Sequence, residues 1–166
     1  MNSKRTVRIL DIIRGTTVDG PGFRTSIYFA GCRHRCEGCH NPHSWSFDGG
    51  KEMTIDEIMS VVEEEDFDVT LTGGDPMYNI EALCELSDAI HQTGHDVWLY
   101  TGYTWEEIVD NSKLKEAAKH VDVIVDSPFI MELKDADLLF RGSSNQRIID
   151  VKKSIADEAI HLWQRK

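Results

Sequence analysis

Cys32, Cys36 and Cys39 stand in the run FAGCRHRCEGCHNPHSW, at a C-x3-C-x2-C spacing. Three thiols on one short loop can converge on a single inorganic centre without closing a long stretch of chain. An odd number of thiols cannot all pair as disulfides. Two centres fit the set. A structural zinc ion takes four protein ligands in tetrahedral geometry, and the fourth would then be His34, His40 or His43. A 4Fe–4S cluster normally takes four cysteines, so three leave one iron for a ligand that is not protein. Spacing alone leaves both centres open. In the second, the open iron is where chemistry can take place. The fourth cysteine, Cys84, belongs to NIEALCELSDAIHQTG, where Ile80, Leu83, Cys84, Leu86 and Ile90 recur at helical spacing. It reads as a small buried core residue, which leaves no thiols for a second cluster.

Such a loop must be held by its neighbours. The Gly-rich VDGPGFR (18–24) leads into the apolar TSIYFAG (25–31), a buried strand that delivers the loop from its C-terminal end. DVTLTGGDP (68–76) is a second strand, ending in Gly73, Gly74 and Asp75. Glycines lack a Cβ, so backbone there can approach a ligand closely; a plain turn is the alternative reading. Arg33 and Arg35 flank the cysteines as solvated side chains, as aids to reduction or as contacts for an acidic partner. His40 and His43 read as polar loop residues, and Trp45 as a residue packed under the loop.

The rest of the chain alternates helix and strand. A helix begins at Thr54 with Ile55, Ile58, Met59 and Val62 on one face. Asn79 caps the next helix and Gly94 ends it. Strands follow at 96–100 and 121–125, with a further one at 147–151. Thr104 and Glu107 fit a capping box between the first two of these. Alternation of this kind predicts an α/β fold with a mostly parallel sheet and right-handed crossovers. At 166 residues the chain is too short for a full eight-unit barrel of about 250 residues, so a partial (β/α) barrel is expected. It forms a single domain over 1–166, with a short helical tail at about 150–166 carrying Ile155, Ala159 and Leu162. Ligands of parallel α/β folds gather at the C-terminal strand ends. There the cysteine loop, Gly73 to Asp75, Thr101 and Asp126 would share one rim.

Composition narrows the function. The net charge of −11 and pI near 5.0 argue against general nucleic-acid binding. The run Glu63 to Asp66 reads as a solvated helix end. No stretch is long and apolar enough to span a bilayer, and no signal-peptide core follows the basic N-terminus. A reducing, cytoplasmic setting agrees with the cysteine usage.

The C-x3-C-x2-C loop after one strand and GGDP after the next resemble the radical S-adenosylmethionine superfamily. With DGPGFR, CHNPHSW, YTGY and RGSSNQ, the chain from Asp11 to Arg147 resembles the activating proteins of anaerobic ribonucleoside-triphosphate reductase within it. The resemblance implies a 4Fe–4S cluster on Cys32, Cys36 and Cys39, with S-adenosylmethionine chelating the fourth iron. Reductive cleavage would give methionine and a 5′-deoxyadenosyl radical. Gly73, Gly74 and Asp75 would meet the methionine end of the cofactor, and Gly38, Cys39 and His40 would lie against it. Thr101 and Asp126 are cofactor contacts or structural groups. Many members of the superfamily carry an aromatic residue where this chain has Gly38, and Ser127-Pro128 departs from related activases.

Little chain remains for a small-molecule lid, and an incomplete barrel leaves a lateral opening wide enough for a polypeptide loop. A protein substrate is therefore expected. The resemblance names it as the catalytic subunit of the anaerobic reductase, with a glycine as target and a reduced flavodoxin- or ferredoxin-type protein as electron donor. Another glycyl-radical enzyme, such as pyruvate formate-lyase, is the alternative substrate. A small zinc-binding interaction module is the alternative from outside the enzymes.

Overall fold

The computed structural model describes residues 4–39 and 42–165, apart from the side chain of His43. His40, expected at the cofactor, lies outside the described residues. The chain forms an open seven-stranded sheet in the order β3-β1-β2-β4-β5-β6-β7. Its strands are β1 (Thr6–Thr16), β2 (Arg24–Phe29), β3 (Lys51–Thr54), β4 (Asp68–Gly73), β5 (Val97–Tyr100), β6 (Val123–Val125) and β7 (Ile148–Asp150). The helices are α1 (Ile55–Glu65), α2 (Ile80–Gln92), α3 (Trp105–Val109), α4 (Ser112–Ala118) and α5 (Val151–Asp157). The central strands β2, β4, β5 and β6 run parallel, while β1, β3 and β7 join antiparallel at the flanks. This is the expected α/β architecture, and the unclosed sheet is compatible with a partial (β/α) barrel. No helix among the described residues is long and apolar enough to cross a membrane.

The pleat sorts side chains between two environments. One row, Ile27, Leu71, Leu99, Ile124 and Ile149, runs across five strands in register and is wholly buried. It packs under the helices against Ile58, Val62, Leu83, Leu86 and Ile108. Each such side chain contributes about 1.5–3 kcal/mol by leaving water. The opposite row starts polar, with Ser26 and Thr70, and becomes apolar at Trp98 and Val123. Among the described residues no helix packs on its apolar end. Phe140 and Trp163 pack there against Trp98, with ring centroids 5.6 and 5.0 Å away. Arg24 lies fully buried among the same residues. It donates to Thr70 Oγ1 and Val69 O at 2.8 Å each, pairs with Asp96, and stacks on Trp98.

Several expectations change in detail. The strand that delivers the cysteines is the second strand, because β1 precedes it and pairs with it. Only Val7 and Ile9 of β1 are buried, and two register shifts interrupt its pairing with β2, so its two-residue alternation is short. Thr54 is the N-cap of α1 and forms a capping box with Glu57, as Thr104 does with Glu107 on α3. Asn79 precedes α2 but makes no side-chain cap bond. Cys84 is only partly buried, at the border of the core. The tail is helical only to Asp157. Glu158 turns left-handed, and the chain then returns along β7 through Asp150 N–His161 O (2.9 Å) and Trp163 N–Ile148 O (2.8 Å). Leu162 is exposed there rather than on an apolar helix face.

Candidate metal and cofactor site

The cysteine loop leaves β2 on a scaffold of backbone hydrogen bonds. Ala30 N donates to Arg8 O (3.0 Å), Gly31 N to Ser44 O (2.7 Å) and Cys32 N to Trp45 O (3.2 Å). The 3-10 turn Pro42–Trp45 thus backs the loop, and Trp45 also meets it through the Arg35 guanidinium, 5.5 Å from its ring. Arg35 adopts φ +50 and Gly38 φ +73, the left-handed kinks that swing Cys36 and Cys39 round. A Cβ on Gly38 would run into Met131, so the space beside this glycine is filled from a different loop. Burial pushes the Cys32 thiol up to about 11; a backbone hydrogen bond from His34 opposes the rise and the Asp75 charge adds to it. Burial raises the Cys36 thiol as well.

The turn after β4 is sewn to the start of the cysteine loop. Gly74 N donates to Phe29 O (2.7 Å) and Asp75 N to Gly31 O (2.8 Å). A Cβ on Gly73 would meet the Phe29 backbone, and one on Gly74 the Gly31 carbonyl. These glycines are needed for strand-to-loop contact in the protein itself, a reason the sequence did not reveal. Asp75 is 2 % exposed. Its Oδ1 accepts from Met77 N (2.9 Å), and its Oδ2 from Thr101 Oγ1 (2.8 Å), Gly102 N (2.9 Å) and His34 Nε2 (2.7 Å). The carboxylate thus joins the cysteine loop, the β4 turn and the loop after β5. His34, considered from sequence only as a possible fourth zinc ligand, packs between Tyr78 and Tyr103 at 5.4 and 4.7 Å.

Asp126 does not reach this cluster of loops. It is fully buried, accepting from Trp105 N (2.8 Å) and from Arg147 Nη2 (2.6 Å), and it ties β6 to α3 and β7. Arg147 also clasps Glu106, holding that carboxyl below its usual range. Thr101 is spent on Asp75.

All three cysteines line one cavity of about 130 Å³ with Gly73, Gly74 and Thr101. It shares Cys39, Thr72, Tyr100, Phe129 and Gln146 with a larger cavity of about 630 Å³ on the Trp98 face of the sheet. Asp19 in that larger cavity accepts from Ser26 Oγ (2.9 Å) and Tyr28 OH (3.2 Å), and burial first, then the Asp19 charge, pushes the Tyr28 hydroxyl up to about 12. Arg141 lines the far wall. Its Nη1 donates to Gln146 O (3.0 Å), while its buried Nε has no partner among the described residues. Gln146 accepts from Gly142 N and Ser143 N and donates to Ser127 O, so the RGSSNQ segment folds into a rigid wall. Sequence reasoning singled out DGPGFR and RGSSNQ without assigning these roles; Arg24 of the first reaches Thr70 and Asp96, 46 and 72 residues away, and Gln146 of the second reaches Ser127, 19 residues away, contacts that only folding creates.

Three thiols lining one cavity fit a cluster, in which each cysteine takes a different iron. A structural zinc ion needs a fourth protein ligand. His34 is engaged by Asp75.

Comparison with known proteins agrees. Residues 18–149 match the family described as a 4Fe–4S single cluster domain. The chain is 36 % identical over 141 residues to the anaerobic ribonucleoside-triphosphate reductase-activating protein of Vibrio cholerae, covering 79 % of this chain and 90 % of that one. It is 34 % identical over 139 residues to the protein of that name from Escherichia coli K12 (78 % and 89 %), and 37 % identical over 139 residues to the one from Enterobacteria phage T4 (79 % and 86 %). With the strand-end cysteine loop, its cavity and this coverage together, the chain belongs to the family of anaerobic ribonucleoside-triphosphate reductase-activating proteins.

Proposed function

We propose that this chain generates a glycyl radical on the catalytic subunit of anaerobic ribonucleoside-triphosphate reductase, using a 4Fe–4S cluster and S-adenosylmethionine. The observation that carries the reading is the shared cavity of Cys32, Cys36, Cys39, Gly73 and Gly74, opening onto a larger space. The three thiolates would hold three irons, leaving the fourth for the cofactor. When bound, that pair supplies reductive C–S cleavage and a carbon radical able to take hydrogen from a glycine Cα. The chain's own part is positional. Gly38 and Cys39, with His40, would lie against the cofactor. The Gly73–Gly74 backbone would face its methionine end, held there by the buried Asp75 rather than by a free carboxylate. Thr101 enters as a support of Asp75, and Asp126 as a support of the wall.

The larger cavity, walled by Tyr28, Tyr100 and Arg141, has the size for the rest of the cofactor and an extended peptide segment. The name shared by the relatives favours the reductase over pyruvate formate-lyase as the substrate. A single domain over 1–166, working in the cytoplasm with a small protein electron donor, completes the reading. Anaerobic reconstitution tests it: about four irons and four sulfides per chain are expected, with S-adenosylmethionine cleaved under dithionite. Stoichiometric zinc, with no cleavage, would overturn it.

A further inference from the structure

Arginines in this acidic chain mostly find carboxylates. Arg5, Arg14, Arg24 and Arg147 each pair with two acidic side chains, and Arg8 with one. The two arginines of the cysteine loop do not. Arg33 and Arg35 are exposed, and none of the ion pairs among the described residues includes them. Each is held over an aromatic ring instead. The Arg33 Cζ lies 5.1 Å from the Phe47 ring centre and the Arg35 Cζ 5.5 Å from that of Trp45. Stacking fixes the guanidinium planes while leaving their N–H groups free for another partner.

The rings connect the arginines to the cysteines. Phe47 packs against the bare face of Gly31, next to Cys32, and stands edge-on to Tyr78 at 5.8 Å. Trp45 O accepts from Cys32 N. Phe47 is itself 41 % exposed, giving the patch an apolar centre. Local charge is reversed relative to the molecule. Residues 30–51 carry Arg33, Arg35 and Lys51 against Glu37 and Asp48, in a chain of net charge −11. Arg8 adds to the same edge, donating to Gly49 O and Gly50 O.

We propose that Arg33 and Arg35, with Phe47 between loop and solvent, form the docking face for a small acidic one-electron carrier protein. The proposal rests on the cluster reading above. One electron leaves the carrier and enters the cluster, with no bond made or broken. An acidic partner would otherwise be repelled by this chain, so local cations decide where it can land and how fast. The rest of the molecule steers it away from other faces.

Stopped-flow reduction of the reconstituted chain separates docking from cluster chemistry. Reduced flavodoxin serves as the carrier and photoreduced deazaflavin as a small donor with no docking face. For Arg33→Glu with Arg35→Glu, the flavodoxin rate is expected to fall about tenfold or more at low salt. The deazaflavin rate and iron content should stay at the parent values. Arg33→Lys with Arg35→Lys should keep most of the flavodoxin rate, and raising salt from about 0.05 to about 0.5 M should slow the parent and this variant but not the charge-reversed chain. A charge-reversed chain reduced by flavodoxin as fast as the parent, or a parent rate flat with salt, overturns the docking face and leaves the cluster reading intact. A parent chain that no donor reduces would remove the cluster reading and this face together.

Discussion

Four donors converge on the Asp75 carboxylate, and they come from three separate loops. Removing the acceptor strands buried donors, each worth about 1–3 kcal/mol when left unpaired. Asp75→Ala should therefore destabilise the metal-free chain by about 2–4 kcal/mol, read as a lower urea midpoint at unchanged slope. A side chain that served only the cofactor would leave that midpoint where it is. Cys36→Ala should behave in the opposite way. The thiol is half-buried and held by no such network, so the midpoint should move by about 1 kcal/mol or less, while cluster content and S-adenosylmethionine cleavage are lost. Retained cleavage would remove Cys36 from the ligand set. At this scale the sequence revealed the cysteines, because their spacing is local. It did not reveal His34 as the partner of Asp75, 41 residues away, since nothing along the chain marks a contact that only folding creates.

The elements that carry these loops are held by the buried row across the sheet. Leu99 sits at its middle, between Leu71 and Ile124. Leu99→Ala should destabilise by about 2–5 kcal/mol through lost burial and a residual cavity. Thr104→Ala, which removes the capping box of α3, should be milder at about 1 kcal/mol; thermal unfolding of both variants gives the comparison, and an equal loss would mean that α3 carries more of the fold than its five residues suggest. The capping box was legible because both partners lie within one turn of helix. The buried strands β4 to β6 were legible from β-branched and apolar runs. The β1 strand was not, because two buried residues and two register shifts give too little alternation to read. The tail is helical as expected over Val151–Asp157 but not beyond, where Ala159 and Leu162 fit helical spacing with Ile155 and the left-handed Glu158 ends the helix with no glycine or proline to announce it.

For the molecule as a whole, chain length and alternation already implied an unclosed α/β sheet, and the cavity on its Trp98 face follows from that incompleteness. What length could not show is how the cavity is walled. Trp98, Phe140 and Trp163 fill one end in edge-to-face contacts, and the returning tail holds them there. The other end stays open beside Cys39. The open cavity beside the cysteine loop is the room that the proposed function assigns to a protein substrate, the catalytic subunit of the anaerobic reductase. The direct test is electron paramagnetic resonance of the anaerobic mixture: reconstituted chain, reductant, S-adenosylmethionine and the catalytic subunit of the anaerobic reductase. The expected result is a glycyl-radical doublet on the catalytic subunit that disappears when Cys36 is replaced by alanine. A cluster that is reduced and cleaves the cofactor, yet leaves no doublet on that subunit while producing one on another glycyl-radical enzyme, would contradict it.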